Sequence, residues 1–223
     1  ETSYAIVPTD VLGAEAGQPM LGVHNHDNAL AAAAAVLAFG LPLGAVQRGL
    51  RTFKLPPHRL EPVGTVAGVR FINDSKATNP HAAIHGLRAI IPVPGERLVW
   101  IGGGSDKDAE FDTLAVMVRD RADLAVLIGA TAERIAVALR GAGFAADRII
   151  LADDMHAAVA RAFEACDGAA VVLLSPACAS FGLFRGYQHR GEVFTEAVAL
   201  LAKAVASRPI PVPANRDGDA HSG

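Results

Sequence analysis

Eight consecutive residues, Asn73-Asp74-Ser75-Lys76-Ala77-Thr78-Asn79-Pro80, carry an acid, a cation, two hydroxyls and two amides. The apolar run Val69 to Ile72 before them reads as a buried strand. His81 to Ile90 after them reads as a helix opened by Pro80. Backbone N–H groups at a helix start favour anions, and Lys76 adds a full positive charge. The same residue types also suit a plain capped turn. Taken alone, the two readings stand about even.

Other strand exits add to this turn. Val99-Trp100-Ile101 runs into Gly102-Gly103-Gly104-Ser105-Asp106-Lys107, Val126-Leu127-Ile128 into Gly129-Ala130-Thr131, and Val172-Leu173-Leu174 into Ser175-Pro176-Ala177-Cys178-Ala179-Ser180-Phe181. Parallel strands deliver all these groups to one edge. The triglycine lets backbone approach a ligand closely. It is neither a dinucleotide fingerprint nor a P-loop. Lys107 could hold a carboxylate or phosphate as a point charge, or be a solvated loop lysine. Ser180 could donate to a carboxylate or cap a helix. Cys178 has no base supplied by any motif and reads as a buried thiol.

Two clusters stand apart. In His24-Asn25-His26-Asp27-Asn28, the amides of Asn25 and Asn28 lie three apart and share a helix face, where they can pair with an adenine edge. A metal site at His24, His26 and Asp27 is less attractive, because adjacent residues rarely converge on one ion. In Pro57-His58-Arg59, the arginine can present a bidentate fork to a phosphate, or form a surface ion pair.

The elements that must position these groups follow from periodicity. Helices are expected at Asp27 to Phe39 and Pro42 to Leu50, then a linker from Phe53 to Pro57 with a boundary near Pro56. Short strands Arg59 to Val66 and Val69 to Ile72 join at Ala67-Gly68 as a hairpin. Further strands are Arg97 to Ile101, Leu124 to Ile128, Arg148 to Leu151 and Ala170 to Leu174. Helices near His81 to Ile90, Phe111 to Arg119, Ala132 to Leu139, His156 to Ala165 and Gly191 to Ala206 alternate with them. Apolar strands alternating with helices predict an α/β fold: a Rossmann-like, mostly parallel sheet with helices on both faces. Ligands in such folds sit beyond the carboxyl ends of the strands. Pro209 to Gly223 reads as a disordered tail.

Composition bounds the rest. The chain has 223 residues, 51% hydrophobic, with net charge −3, which argues against bulk attraction to nucleic acid or anionic membrane. Cys166 and Cys178 lack metal-ligand spacing and read as reduced thiols. No apolar run approaches the roughly 20 residues of a membrane span, and no signal peptide is evident, so a cytoplasmic location is the default expectation. Glu1 opens the chain without an initiator Met and leads into the strand-like Tyr4 to Val7. A piece of a longer protein is expected.

In order, the segments GVHNHDN, PPHRLEPV, INDSKATNP, IGGGSDKDAEF, LLSPACASFGLF and YQHRGEVF resemble the bacterial Mur ligases, from Gly22 to about Phe194. The NDSKATNP turn resembles the branch that adds D-glutamate. The resemblance implies three domains: one for the UDP sugar, a central one with a P-loop for ATP and Mg2+, and a third, Rossmann-like one for the amino acid. No G-K-[ST] motif occurs in this sequence. Residues 1–56 therefore resemble the helical and strand remnant of the central ATPase domain, 57–206 the amino-acid-binding domain, and 207–223 a tail. The magnesium ligands are expected outside this segment, with no metal site within it.

The implied reaction is ATP-dependent addition of D-glutamate to UDP-N-acetylmuramoyl-L-alanine through an acyl phosphate, in peptidoglycan precursor synthesis. This segment alone is expected to be inactive. By motif, Asn25 and Asn28 resemble the adenine contacts, and Arg59 an arginine reaching the ATP phosphates. Asp74 resembles the acid near the ribose, and Lys76 a lysine facing the phosphates. Arg59 and Lys76 are thus the catalytic candidates. Thr78, Lys107 and Ser180 resemble the D-glutamate ligands, and Tyr187 an aromatic packing along the amino acid. Arg190 matches an arginine with a structural or orienting role. Asp108 and Glu110 near Lys107 depart from the family pattern and would weaken its hold on a carboxylate. The implied partners are small molecules, with no nucleic acid and no membrane, and the full-length enzyme would be a monomer. The rivals are another amino-acid-adding ligase of this superfamily, folylpolyglutamate synthase included, and a non-catalytic nucleotide- or anion-binding Rossmann module.

Overall fold

The computed structural model describes residues 23–105 and 108–207. Two helices come first, α1 (Val23–Ala38) and α2 (Leu43–Thr52). The hairpin β1 (Glu61–Val66) and β2 (Val69–Asn73) follows, then α3 (Pro80–Ala89), β3 (Arg97–Gly103), α4 (Asp112–Arg121), β4 (Leu124–Ile128) and α5 (Ala132–Gly141). The chain continues through β5 (Ile149–Ala152), α6 (Met155–Glu164), β6 (Ala170–Leu174) and α7 (Tyr187–Ala206).

The six strands form one sheet in the order β1-β2-β6-β3-β4-β5. Only β1 runs antiparallel, against β2; every other pairing is parallel. The hairpin closes at Ala67 and Gly68, both at positive φ (46° and 87°), the handedness that matches the twist of paired strands.

Burial explains the apolar strands. Strands β4 and β6 are buried throughout. One face of the sheet packs Trp100, Leu127 and Leu173 against Leu87 of α3, Leu114 of α4 and Leu139 of α5. The other packs Phe71, Val126 and Val172 against Val159 of α6 and Phe194 of α7. With helices on both faces, the open region lies at the strand ends. Among the described residues, no helix is long and apolar enough to cross a membrane.

Candidate functional site

The site is built where β2 and β6 end side by side, Asn73 opposite Leu174. Asp74 leaves the sheet with its N–H donated to Leu174 O at 2.7 Å. Its carboxylate turns inward, is 6% exposed, and accepts from Ser175 Oγ at 2.8 Å and from Leu60 N–H at 3.4 Å. Burial pushes the acid up to about 7, against the opposing pull of the Ser175 hydroxyl, the Leu60 amide and the charges of Arg59 and Arg190. Space for this pair comes from Gly86 on α3. A Cβ there would lie 2.5 Å from Asp74 Oδ2 and 2.8 Å from Ser175 Oγ.

Asn73 and Ser75 brace the turn. Asn73 Oδ1 accepts from Ser75 N–H at 3.1 Å, while its amide nitrogen donates to Gly191 O at 3.2 Å and lies 3.0 Å from His58 Nδ1. Ser75 Oγ donates to Tyr187 O at 2.8 Å. Arg190 is fully buried and donates to Ser75 Oγ (2.9 Å), Ser75 O (2.8 Å) and Cys178 O (2.9 Å). It ties α7 to the exits of both β2 and β6. Burial lowers its guanidinium to about 10, opposed by Cys178 and Asp74, so it stays charged at neutral pH.

With the turn braced from below, its upper residues face outward. Lys76 is exposed, with its ammonium 4.0 Å from the centroid of the Tyr187 ring, a cation–π contact. Asn79 caps α3 by accepting from Ala82 N–H at 2.9 Å, with Pro80 in the first helical position. A cavity of about 360 Å³ opens here, lined by Arg59, Asp74, Lys76, Thr78, His81 and His85 among others. Burial, His81 and Arg88 lower the His85 imidazole. A second cavity, about 350 Å³, is lined by Asn28, Ala29, Ala32, Leu50, Phe53 and Arg59 with their neighbours. Arg59 borders both, so it stands between an apolar chamber and a polar one.

The structure therefore brings Arg59, Asp74, Lys76 and Thr78 to one cavity, with Tyr187 against Lys76, and sets Asn28 beside Arg59 in the other. Ser180 lies in the loop after β6 and is 4% exposed. Asn25 lies within α1, but its side chain is outside the described residues, as is all of Lys107. Asp108 and Glu110 are exposed.

The triglycine has a structural role of its own. At Gly103, φ is 105°, and a Cβ would lie 2.1 Å from Ile128 O; Gly104 donates its N–H to Thr131 Oγ1 at 3.0 Å. The close approach at Gly103 is to neighbouring backbone, because β3 and β4 pair right up to Gly103 and Ile128. Cys178 is buried, 3.3 Å from Thr131 Oγ1, as a structural thiol. Sequence reasoning assigned nothing to His58, Ser175 or Gly86. The signal for Ser175 was its place directly after a wholly apolar strand. Gly86 carried none.

Among the described residues, no group of three or more His, Cys, Asp or Glu could hold a metal ion. The donors at hand suit anions and a sugar hydroxyl: two cations, one carboxylate and hydroxyls.

The family model of the Mur ligase glutamate ligase domain matches residues 58–178, over half the chain. The chain belongs to the Mur ligase family. Among curated relatives, it is 44% identical over 189 residues to the UDP-N-acetylmuramoylalanine–D-glutamate ligase of Pelotomaculum thermopropionicum, covering 85% of this chain and 40% of that protein. It is 42% identical to the enzyme of that name from Ralstonia nicotianae, over 81% of this chain and 35% of the relative. The chain thus spans about two fifths of the length of these relatives. Solved structures share the fold. Folylpolyglutamate synthase of Mycobacterium tuberculosis, complexed with ADP, superposes with TM-score 0.60 at 22% identity, over 80% of this chain and 41% of that one. UDP-N-acetylmuramate–alanine ligase of Thermotoga maritima does so with TM-score 0.57 at 18% identity, over 83% and 41%.

Proposed function

We propose that this chain supplies the D-glutamate site and part of the ATP site of a ligase that joins D-glutamate to UDP-N-acetylmuramoyl-L-alanine. The observation that carries the reading is the braced Asn73–Pro80 turn, which sets Asp74, Lys76 and Thr78 on one cavity with Arg59. Residues 57–206 are the amino-acid-binding domain in this reading, and residues 1–56 the end of a central ATPase domain. The whole protein carries the activity and acts as a cytoplasmic monomer. Its relatives bear the name of this ligase, which favours D-glutamate over the substrates of other branches.

In this reading the adenine sits by Asn25 and Asn28, and Asp74 accepts from a ribose hydroxyl. Arg59 and Lys76 offset charge on the phosphates as ADP leaves the substrate carboxylate's new acyl phosphate. The amine of D-glutamate then attacks the acyl carbon and expels phosphate, losing a proton. Thr78, Lys107 and Ser180 hold the two carboxylates of the amino acid, and Tyr187 packs along it. In this reading the Mg2+ that would accompany ATP would take its protein ligands from the rest of the central domain and would offset charge on the phosphates beside Arg59 and Lys76.

Single variants of the whole enzyme separate the two halves of the site. Thr78→Ala raises KM for D-glutamate by about tenfold with little change in KM for ATP, while Lys76→Met lowers kcat by about a hundredfold. An equal change in both KM values in Thr78→Ala contradicts the assignment.

A further inference from the structure

The turn leads into a feature that the proposed reaction does not use. His81 and His85 lie four apart on the first turns of α3, so their rings stand on one face of the helix. Their Nε2 atoms are 3.3 Å apart, with ring centroids at 4.6 Å and planes 69° apart. Both line the cavity shared with Asp74, Lys76 and Thr78.

That separation has a chemical meaning. Two imidazole nitrogens each about 2.0–2.1 Å from one zinc ion, at the tetrahedral angle, lie about 3.3–3.4 Å apart. A right angle, as in octahedral or square-planar sites, would bring them to about 2.9 Å. Paired histidines at this helical spacing form one edge of a zinc site when both rings carry their proton on Nδ1. Without metal, one Nε2 donates its hydrogen to the other. Binding asks that the donating ring move its proton to Nδ1.

We infer that His81 and His85 form a two-histidine site for a zinc-class divalent cation at the mouth of the substrate cavity. Two imidazoles leave the other coordination positions to water or to an oxygen ligand, such as a carboxylate or phosphate occupying the cavity. Ca2+ and Mg2+ prefer oxygen donors and would not compete. A bound cation would place two positive charges beside Thr78 and Lys76. It would tie up a substrate carboxylate or phosphate, so zinc would inhibit. This last consequence rests on the proposed function; the binding itself does not.

The test is calorimetric titration of Zn2+ into the whole 223-residue chain, with thiols kept reduced by a phosphine. The strongest site is expected to weaken by about tenfold or more in both His81→Gln and His85→Gln. His156→Gln, at an exposed position on α6, should leave it unchanged. Far-ultraviolet circular dichroism establishes that each variant is folded. In the native chain, the imidazole resonances of His81 and His85 should shift together and saturate at one equivalent. Unchanged zinc affinity in both variants, or loss of affinity in only one of them, overturns the site. In the whole protein, zinc should slow D-glutamate ligation, measured for each variant against its own zinc-free rate, and His85→Gln should relieve this. A protein with no ligase activity at all would sink the functional reading, while the titration would still decide the metal site.

Discussion

A carboxylate buried against a serine and a backbone amide changes its character with pH. Asp74 titrates near 7 in the folded chain and near its ordinary value when unfolded. Between those two values the native state holds a proton that the unfolded state has released. This contribution to stability is therefore fully present below the unfolded pKa and lost as pH rises towards the folded one. Asp74→Asn removes the titration. Its melting temperature relative to the native chain should rise between about pH 4 and about pH 7 and then level off; parallel curves would show that Asp74 is charged throughout. Gly86 belongs to the same residue-scale argument. Gly86→Ala forces a methyl into the space of Asp74 Oδ2 and Ser175 Oγ, and urea unfolding should show a loss of about 1–3 kcal/mol. Unaltered stability would mean that the pair can move apart.

At the scale of elements, Arg190 decides how α7 meets the sheet. Its three donors go to Ser75 and Cys178, so helix, turn and loop are held by one buried cation. Arg190→Met keeps the volume but leaves both carbonyls without this donor, and should cost about 3–5 kcal/mol in denaturant unfolding. A loss below about 1 kcal/mol would show that water replaces the guanidinium. Legibility in the sequence followed the same physics. Strands β4 and β6 are continuous apolar runs, so Leu124–Ile128 and Ala170–Leu174 were readable to the residue. Helix α7 begins at Tyr187 and not at Gly191, because Gly191 is a helical residue whose bare Cα accommodates the His58 ring. Residues Val23 to His26 are already helical ahead of Asp27, since a polar stretch that looks like a cap can also lie within a helix. The residues of the chemically rich turn that line the cavity were readable by type. The Arg190 network was not, because burial of an arginine arises from contacts far apart in sequence.

On the scale of the whole molecule, the segment from α1 to just past α2 presents a group of apolar side chains to solvent. Phe39 is 88% exposed, and Leu30, Leu41, Leu43 and Phe53 are between 42% and 47% exposed. A surface of this kind marks a docking face. This chain should enhance the fluorescence of an apolar dye, and Phe39→Ser should diminish the effect; no enhancement would mean that the face is covered. In the proposed enzyme this face meets the rest of the central domain, and Arg59, bordering both cavities, joins the nucleotide side to the amino-acid side.

The most direct test of the account is ADP release by the whole enzyme, with UDP-N-acetylmuramoyl-L-alanine as acceptor and a panel of amino acids. Release that depends on D-glutamate alone is the predicted result. Release with a different amino acid would contradict the assignment of Thr78, Lys107 and Ser180 to D-glutamate, and release with none would contradict the ligase itself.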